Sequence, residues 1–194
     1  MDTKIVYHVD RKGLLSKFSK GETIQVCPLD NPFYSSFLTG NKVSFHGNLY
    51  LNQGGIRCND PYIRSNAVWE VFAELVRLKA FPQYESRYNA LFGFEKPDDL
   101  KQFILGYGDI APRDWNIYAL EVSDYVQKDM SQFDVHSERV KVIEGDPNTY
   151  YDNLLIKHCY DYWKGNNTKD PQIETLIYGQ AIMREILELR EFIK

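Results

Sequence analysis

A chain of 194 residues suits one medium domain and is long enough to bury a stable core. Its 23 Lys and Arg against 27 Asp and Glu leave a net charge of -4, with no run of basic residues, which excludes a protein that coats duplex nucleic acid. Cys27, Cys58 and Cys159 stand far apart with no Cys-x-x-Cys pair, so neither a disulfide framework nor a zinc site is expected.

Met1 to Lys4 lead straight into a strand without the apolar stretch of a secretion signal, and no run is long enough to span a bilayer. A cytoplasmic location without membrane association is the expectation. Ile5-Val6-Tyr7-His8-Val9-Asp10-Arg11 alternates as a strand, with Ile5, Tyr7, Val9 and Arg11 on one face and Val6, His8 and Asp10 on the other. Leu14 and Leu15, between Gly13 and Gly21, predict a short helical turn, and Thr23-Ile24-Gln25-Val26 a second strand. From 28 to 59, Pro28, Asn31-Pro32, Gly40-Asn41, Gly47-Asn48 and Gly54-Gly55 punctuate brief extended pieces such as Val43-Ser44-Phe45 and Leu49-Tyr50-Leu51.

Asp60-Pro61 is a helix start, and Val68, Val71, Phe72, Leu75 and Leu78 carry the helix to about residue 80, where Phe81-Pro82 ends it. Ser86 to Phe94 reads as a strand with an apolar middle. Lys96-Pro97-Asp98-Asp99 then opens a helix that Gly106 and Gly108 close. Trp115 to Val122 has the aliphatic and aromatic density of a buried strand, with Asp114 and Glu121 near its two ends. Val140 to Ile143 predicts an edge strand, and Tyr150 to Trp163 a helix reaching Gly165. After Asp170-Pro171, the spacing of Ile173, Leu176, Met183 and Leu187 predicts a final helix. The chain thus divides at the Gly165-Asn166-Asn167-Thr168 hinge into a domain of residues 1–164 and a helical appendage of residues 165–194, a surface for self-association.

His8 is the leading candidate for chemistry. A neutral imidazole offers one donor and one acceptor, which suits a ribose hydroxyl, and the guanidinium of Arg11 suits phosphate oxygens. The plain alternative is a histidine satisfied by backbone and a surface arginine. Asp114 or Glu121 could stabilise a developing sugar cation, although a separation of seven positions keeps them from acting as a pair. Tyr88, between Arg87 and Asn89, could stack on a flat heterocycle or simply fill the core. Glu95, Asp98 and Asp99 read as helix-start charges, and His46, His136 and His158 have no partners at metal-ligand spacing. Phosphate-loop, dinucleotide-fold, zincin and hydrolase-elbow motifs do not occur.

In their order, Tyr7-His8-Val9-Asp10-Arg11 with Gly21-Glu22-Thr23-Ile24, then Ser86 to Phe94 followed by Lys96 to Leu100, then Asp114 to Val122, resemble the first strands of the ADP-ribosyltransferase superfamily. The likeness is strongest to the small rifampin ADP-ribosyltransferases, which use a histidine, a tyrosine and an aspartate. The resemblance implies an α+β fold, with a split, twisted β-sheet core and helices around it. It implies NAD as substrate and no metal. His8 would bind a ribose, Tyr88 would stack on nicotinamide, Arg11 and Arg87 would meet the dinucleotide, and Asp114 or Glu121 would be the acid. The implied activity is cleavage of the nicotinamide–ribose bond with transfer of ADP-ribose to an acceptor that the residues do not identify. A silent nucleotide- or protein-binding member of the fold, or a protein that binds or modifies RNA, are the alternatives; a basic groove formed by Lys4, Arg11 and Arg87 would favour the last.

Overall fold

The computed structural model of the chain describes residues 2–10, 13–30, 42–51, 61–106, 115–133 and 154–189, and the side chains of all of these but residues 49, 61–65 and 154. Two units emerge. The first comprises Met1–Cys27, Leu91–Gln127 and Ile173–Lys194, and the second Pro28–Ala90 and Lys128–Gln172. The class is α+β, with open antiparallel sheets and several helices.

The first unit is organised on strand β6 (Asn116–Val122), whose Ile117, Tyr118, Ala119, Leu120 and Val122 are buried as the continuous apolar run requires. Strand β1 (Lys4–Asp10) pairs antiparallel to one edge of β6, from Lys4 opposite Val122 to Asp10 opposite Asn116. On the other edge lies β9 (Gln180–Glu188), which in turn pairs with the short β2 (Thr23–Gln25), giving the order β1-β6-β9-β2. Between the pairs Ala119–Glu185 and Leu120–Met183 the register shifts, leaving Arg184 as an extra residue in β9. The predicted turn after β1 is tied down by Asp10, whose carboxylate accepts the amides of Leu14 (3.0 Å) and Leu15 (2.7 Å). A second sheet runs β5 (Leu91–Gly93), β8 (Ile173–Ile177) and β7 (Tyr125–Asp129). One bridge, Tyr7 with Phe94, links β1 to the residue after β5.

Residues 173–188 are strands and not the predicted helix. Their apolar residues fit a helical stripe, but Ile173, Thr175, Ile177, Ile182 and Ile186 are β-branched, and Gly179 at φ 61° turns the chain between β8 and β9. The helical appendage is therefore replaced by two strands, one of them central to the larger sheet, and self-association through a C-terminal helix loses its element.

In the second unit, β3 (Leu29–Asp30) and β4 (Lys42–Val43) form a small ladder leading to helix α1 (Phe45–Leu51). Leu49-Tyr50-Leu51 is thus helical where an extended piece was expected, because Ser44 Oγ accepts the Gly47 amide at 3.0 Å and starts the helix. Helix α2 (Pro61–Ala80) has the predicted span. The segment predicted as a strand from Ser86 instead begins with a 3-10 turn (Arg87–Asn89), since Ser86 Oγ accepts the Tyr88 amide, and only Leu91–Gly93 is extended. Helix α3 (Pro97–Leu105), in the first unit, has Pro97 and two carboxylates in its first turn as expected. A second 3-10 turn (Met130–Phe133) and helix α4 (Leu154–Lys164) complete the second unit. The edge strand expected at 140–143 lies outside the described residues.

Candidate functional site

His8 occupies the middle of β1, where its position is fixed from two sides. In the sheet, it stands opposite Tyr118, and Tyr118 opposite Ile186, so the three form one cross-strand row; Asp10, Asn116 and Glu188 form the next row on that face. Outside the sheet, His8 Nδ1 lies 2.6 Å from the carbonyl oxygen of Phe92 in β5. A carbonyl has no proton to give, so Nδ1 carries the N–H and Nε2 is the acceptor of the neutral ring. Gly93, next to Phe92, permits the approach: a Cβ there would fall 2.6 Å from Val6 Cγ1 and 2.7 Å from the Tyr7 carbonyl oxygen.

Tyr118, beside His8, is buried. That burial, and then the negative charge of Asp10, raises its phenol above the ordinary value, so at neutral pH it is a hydroxyl. The structure does not bring Glu121 to His8. Glu121 pairs with Ile5, one residue out of phase, and so occupies the opposite face, where its carboxylate accepts from Arg184 Nε at 2.8 Å. Asp114 and Arg11 lie outside the described residues.

Among the described residues, the first unit has two buried carboxylates. Asp10 is committed to the turn amides. The other, Glu174, was absorbed into the predicted C-terminal helix. It follows the ladder one step beyond the Gly93–Thr175 pair, level with Phe94, which itself bridges to Tyr7, and so shares the face of Tyr7 and not that of His8. Two strand spacings, roughly 10 Å, separate β1 from β8 across β5. A buried acid within a β-branched run was the available sequence signal.

Tyr88 and Arg87 belong to the second unit, and both are built into its interior. Tyr88 is 1% exposed, packed with Val43, Tyr50 and Ala67, and its carbonyl accepts from the amide (2.9 Å) and hydroxyl (3.1 Å) of Ser44. Its ring is core, not a platform for nicotinamide. The Arg87 guanidinium is 3% exposed and donates to both oxygens of Glu70, at 2.9 and 3.0 Å, and to the Tyr162 hydroxyl. The rings of Trp69 and Tyr162 lie about it at 5.1 and 4.9 Å. Such a cation is held for Glu70 and not for a dinucleotide phosphate. Burial would raise the Glu70 carboxyl, but Arg87 and then His46, 3.4 Å away, outweigh it and hold the group at about 2. A second buried pair, Glu74 with Arg77, is completed by the Ser86 hydroxyl at 2.9 Å. No basic groove from Lys4, Arg11 and Arg87 is assembled by the described residues: Lys4 is paired with Glu95 at 2.8 Å, and Arg87 is interior.

Among the described residues, no group of three His, Cys, Asp or Glu is placed to hold a metal ion, and no helix is long and apolar enough to cross a membrane. The class the chain defines is an α+β protein in which His8 of the four-stranded sheet is hydrogen-bonded to a strand of the three-stranded one. A family model described as "Protein of unknown function (DUF2441)" matches residues 6–189, and the chain belongs to that family. No curated protein matches it.

Proposed function

We propose that the protein is an NAD-dependent ADP-ribosyltransferase of the cytoplasm, and that its four- and three-stranded sheets, joined through Tyr7 and Phe94, are the split sheet of that fold. The observation that carries the reading is His8 on β1, with Nδ1 fixed by the Phe92 carbonyl of the neighbouring strand. With Nε2 as acceptor, His8 takes a hydrogen bond from a ribose hydroxyl of NAD. Asp114 is the acid in this reading, since Glu121 occupies the face opposite His8. A carboxylate stabilises the cation that develops at the ribose carbon as the bond to nicotinamide breaks. Nicotinamide leaves with the bonding electron pair, the acceptor's nucleophilic atom bonds to the ribose carbon, and the acceptor's proton is released. No metal takes part.

Titration of the purified protein with NAD, with heat and nicotinamide release followed together, tests this. Wild type is expected to bind and slowly hydrolyse NAD, His8→Ala to lose binding, and Asp114→Asn to bind but release at least 100-fold less. Binding without release in wild type would favour a silent nucleotide-binding member of the fold, to which the commitment of Arg87 and Tyr88 to the interior lends weight. Absence of binding at millimolar NAD would overturn both.

A further inference from the structure

His8 and Tyr118 stand opposite each other on neighbouring strands of the four-stranded sheet. On the other edge of β1, the Tyr7 amide donates to the Phe94 carbonyl at 2.8 Å and the Tyr7 carbonyl accepts the Phe94 amide at 2.9 Å. Backbone groups alternate along a strand, so those of His8 turn to β6. His8 with Tyr118 is therefore a hydrogen-bonded antiparallel pair, its Cα atoms about 5.5 Å apart. The imidazole turns its Nδ1 edge to Phe92, on the β5 side. Across the ring from Nδ1 lies the bond between Cδ2 and Nε2, which is thereby turned toward β6 and Tyr118.

The two side chains offer opposite halves of a hydrogen bond. Nε2 is the acceptor of the neutral imidazole. Tyr118 keeps its proton at neutral pH, and the Asn116 side chain, two residues back on the same face, bonds to the phenol oxygen, which leaves the O–H to donate elsewhere. The row ends on β9 at Ile186, which is 48% exposed, so a partner that reaches the buried Tyr118 comes down to the sheet beside Ile186. An acceptor and a donor side by side match two adjacent hydroxyls, because each hydroxyl can give one proton and take another.

We propose that Tyr118 is a specificity-determining residue of the His8 site: one ribose hydroxyl donates to Nε2 while its neighbour accepts from the Tyr118 O–H, so that the site reads an intact 2′,3′-diol. This rests on the reading of His8 as the ribose site for NAD. Calorimetric titration with NAD and with the four analogues that each lack one ribose hydroxyl tests it. In wild type, both analogues of at least one ribose are expected to bind roughly ten-fold more weakly than NAD, and that ribose is the one seated on His8. Tyr118→Phe, which keeps the ring, should bind NAD roughly ten-fold more weakly and should penalise only one analogue of that ribose, the one without the hydroxyl that His8 holds. A purely structural role for Tyr118 would leave both penalties in place. Wild type that binds NAD but is not weakened by loss of each hydroxyl of one ribose overturns the inference whether or not the variant folds, and leaves the reading of His8 standing. So does a Tyr118→Phe protein that binds NAD as wild type does or keeps both penalties. No NAD binding by wild type overturns that reading, and the inference with it.

Discussion

Arg87 Nε and Nη2 donate to the two carboxylate oxygens of Glu70 at 2.9 and 3.0 Å, so the two planar groups meet edge to edge, both nearly without solvent contact. A pair of this kind is costly to halve: one charge left alone in the interior loses its partner but not its desolvation. Arg87→Met is expected to destabilise the protein by about 3–5 kcal/mol, measured by urea unfolding. Adding Glu70→Leu to it should restore part of that loss, because the unpaired carboxylate is then gone as well. Arg87→Lys should not rescue, since an ammonium cannot reproduce the two parallel bonds. A cost below 1 kcal/mol for Arg87→Met would show that the pair is not a support of this unit.

The same pair sets an acid limit. Glu70 titrates at about 2 when folded against an ordinary 4.5, so the folded state binds fewer protons than the unfolded state between these values. Its contribution is fully present above pH 4.5 and is lost as the pH falls toward 2, amounting to about 3 kcal/mol. Unfolding free energies taken from pH 6 to pH 2.5 should fall over this window in wild type. In the Arg87→Met, Glu70→Leu double variant the fall should be shallower by about that amount.

How much of this was legible in the sequence depended on whether local pattern and tertiary setting agreed. Asp60-Pro61 and the apolar spacing after it gave α2 its start and its end at Ala80, and the alternation of Ile5 to Asp10 gave β1 and its faces. The segment at 173–188 carries a helical stripe and a β-branched composition at once. Only its pairing with β6, β2 and β5 decides between them, and that is a long-range fact. Tyr88 read as a site residue because its ring could stack on a flat heterocycle, and Arg87 because the resemblance put it beside the dinucleotide. The acid that draws Arg87 inward, Glu70, comes from 17 residues away, and Tyr162 from 75. For Glu121, register alone removed it from the face of His8.

Gly93 should tolerate no side chain. An added Cβ would meet the backbone oxygen of Tyr7 at 2.7 Å, and that atom cannot turn aside because it accepts the Phe94 amide at 2.9 Å. Gly93→Ala is expected to push β1 from β5 and to cost about 1–3 kcal/mol in thermal or urea unfolding. It should also perturb the His8 ring resonances, since Phe92 moves with Gly93. An alanine variant of wild-type stability with unchanged imidazole shifts would contradict the tight approach.

On the proposed reading the two nitrogens of His8 have separate duties, and amide side chains can tell them apart. Asn places its NH2 near the Nδ1 position and keeps a donor for the Phe92 carbonyl, but has nothing at Nε2. Gln reaches the Nε2 position and leaves the carbonyl without that donor. His8→Asn is therefore expected to retain wild-type stability within about 1 kcal/mol, the net value of one hydrogen bond, and to lose NAD binding. His8→Gln should lose about 1 kcal/mol or more of stability while keeping weak NAD binding. Calorimetric titration and urea unfolding of the two variants side by side check both halves. If His8→Asn instead binds NAD as wild type does, the acceptor at Nε2 is not what holds the ligand, and His8 serves β5 alone.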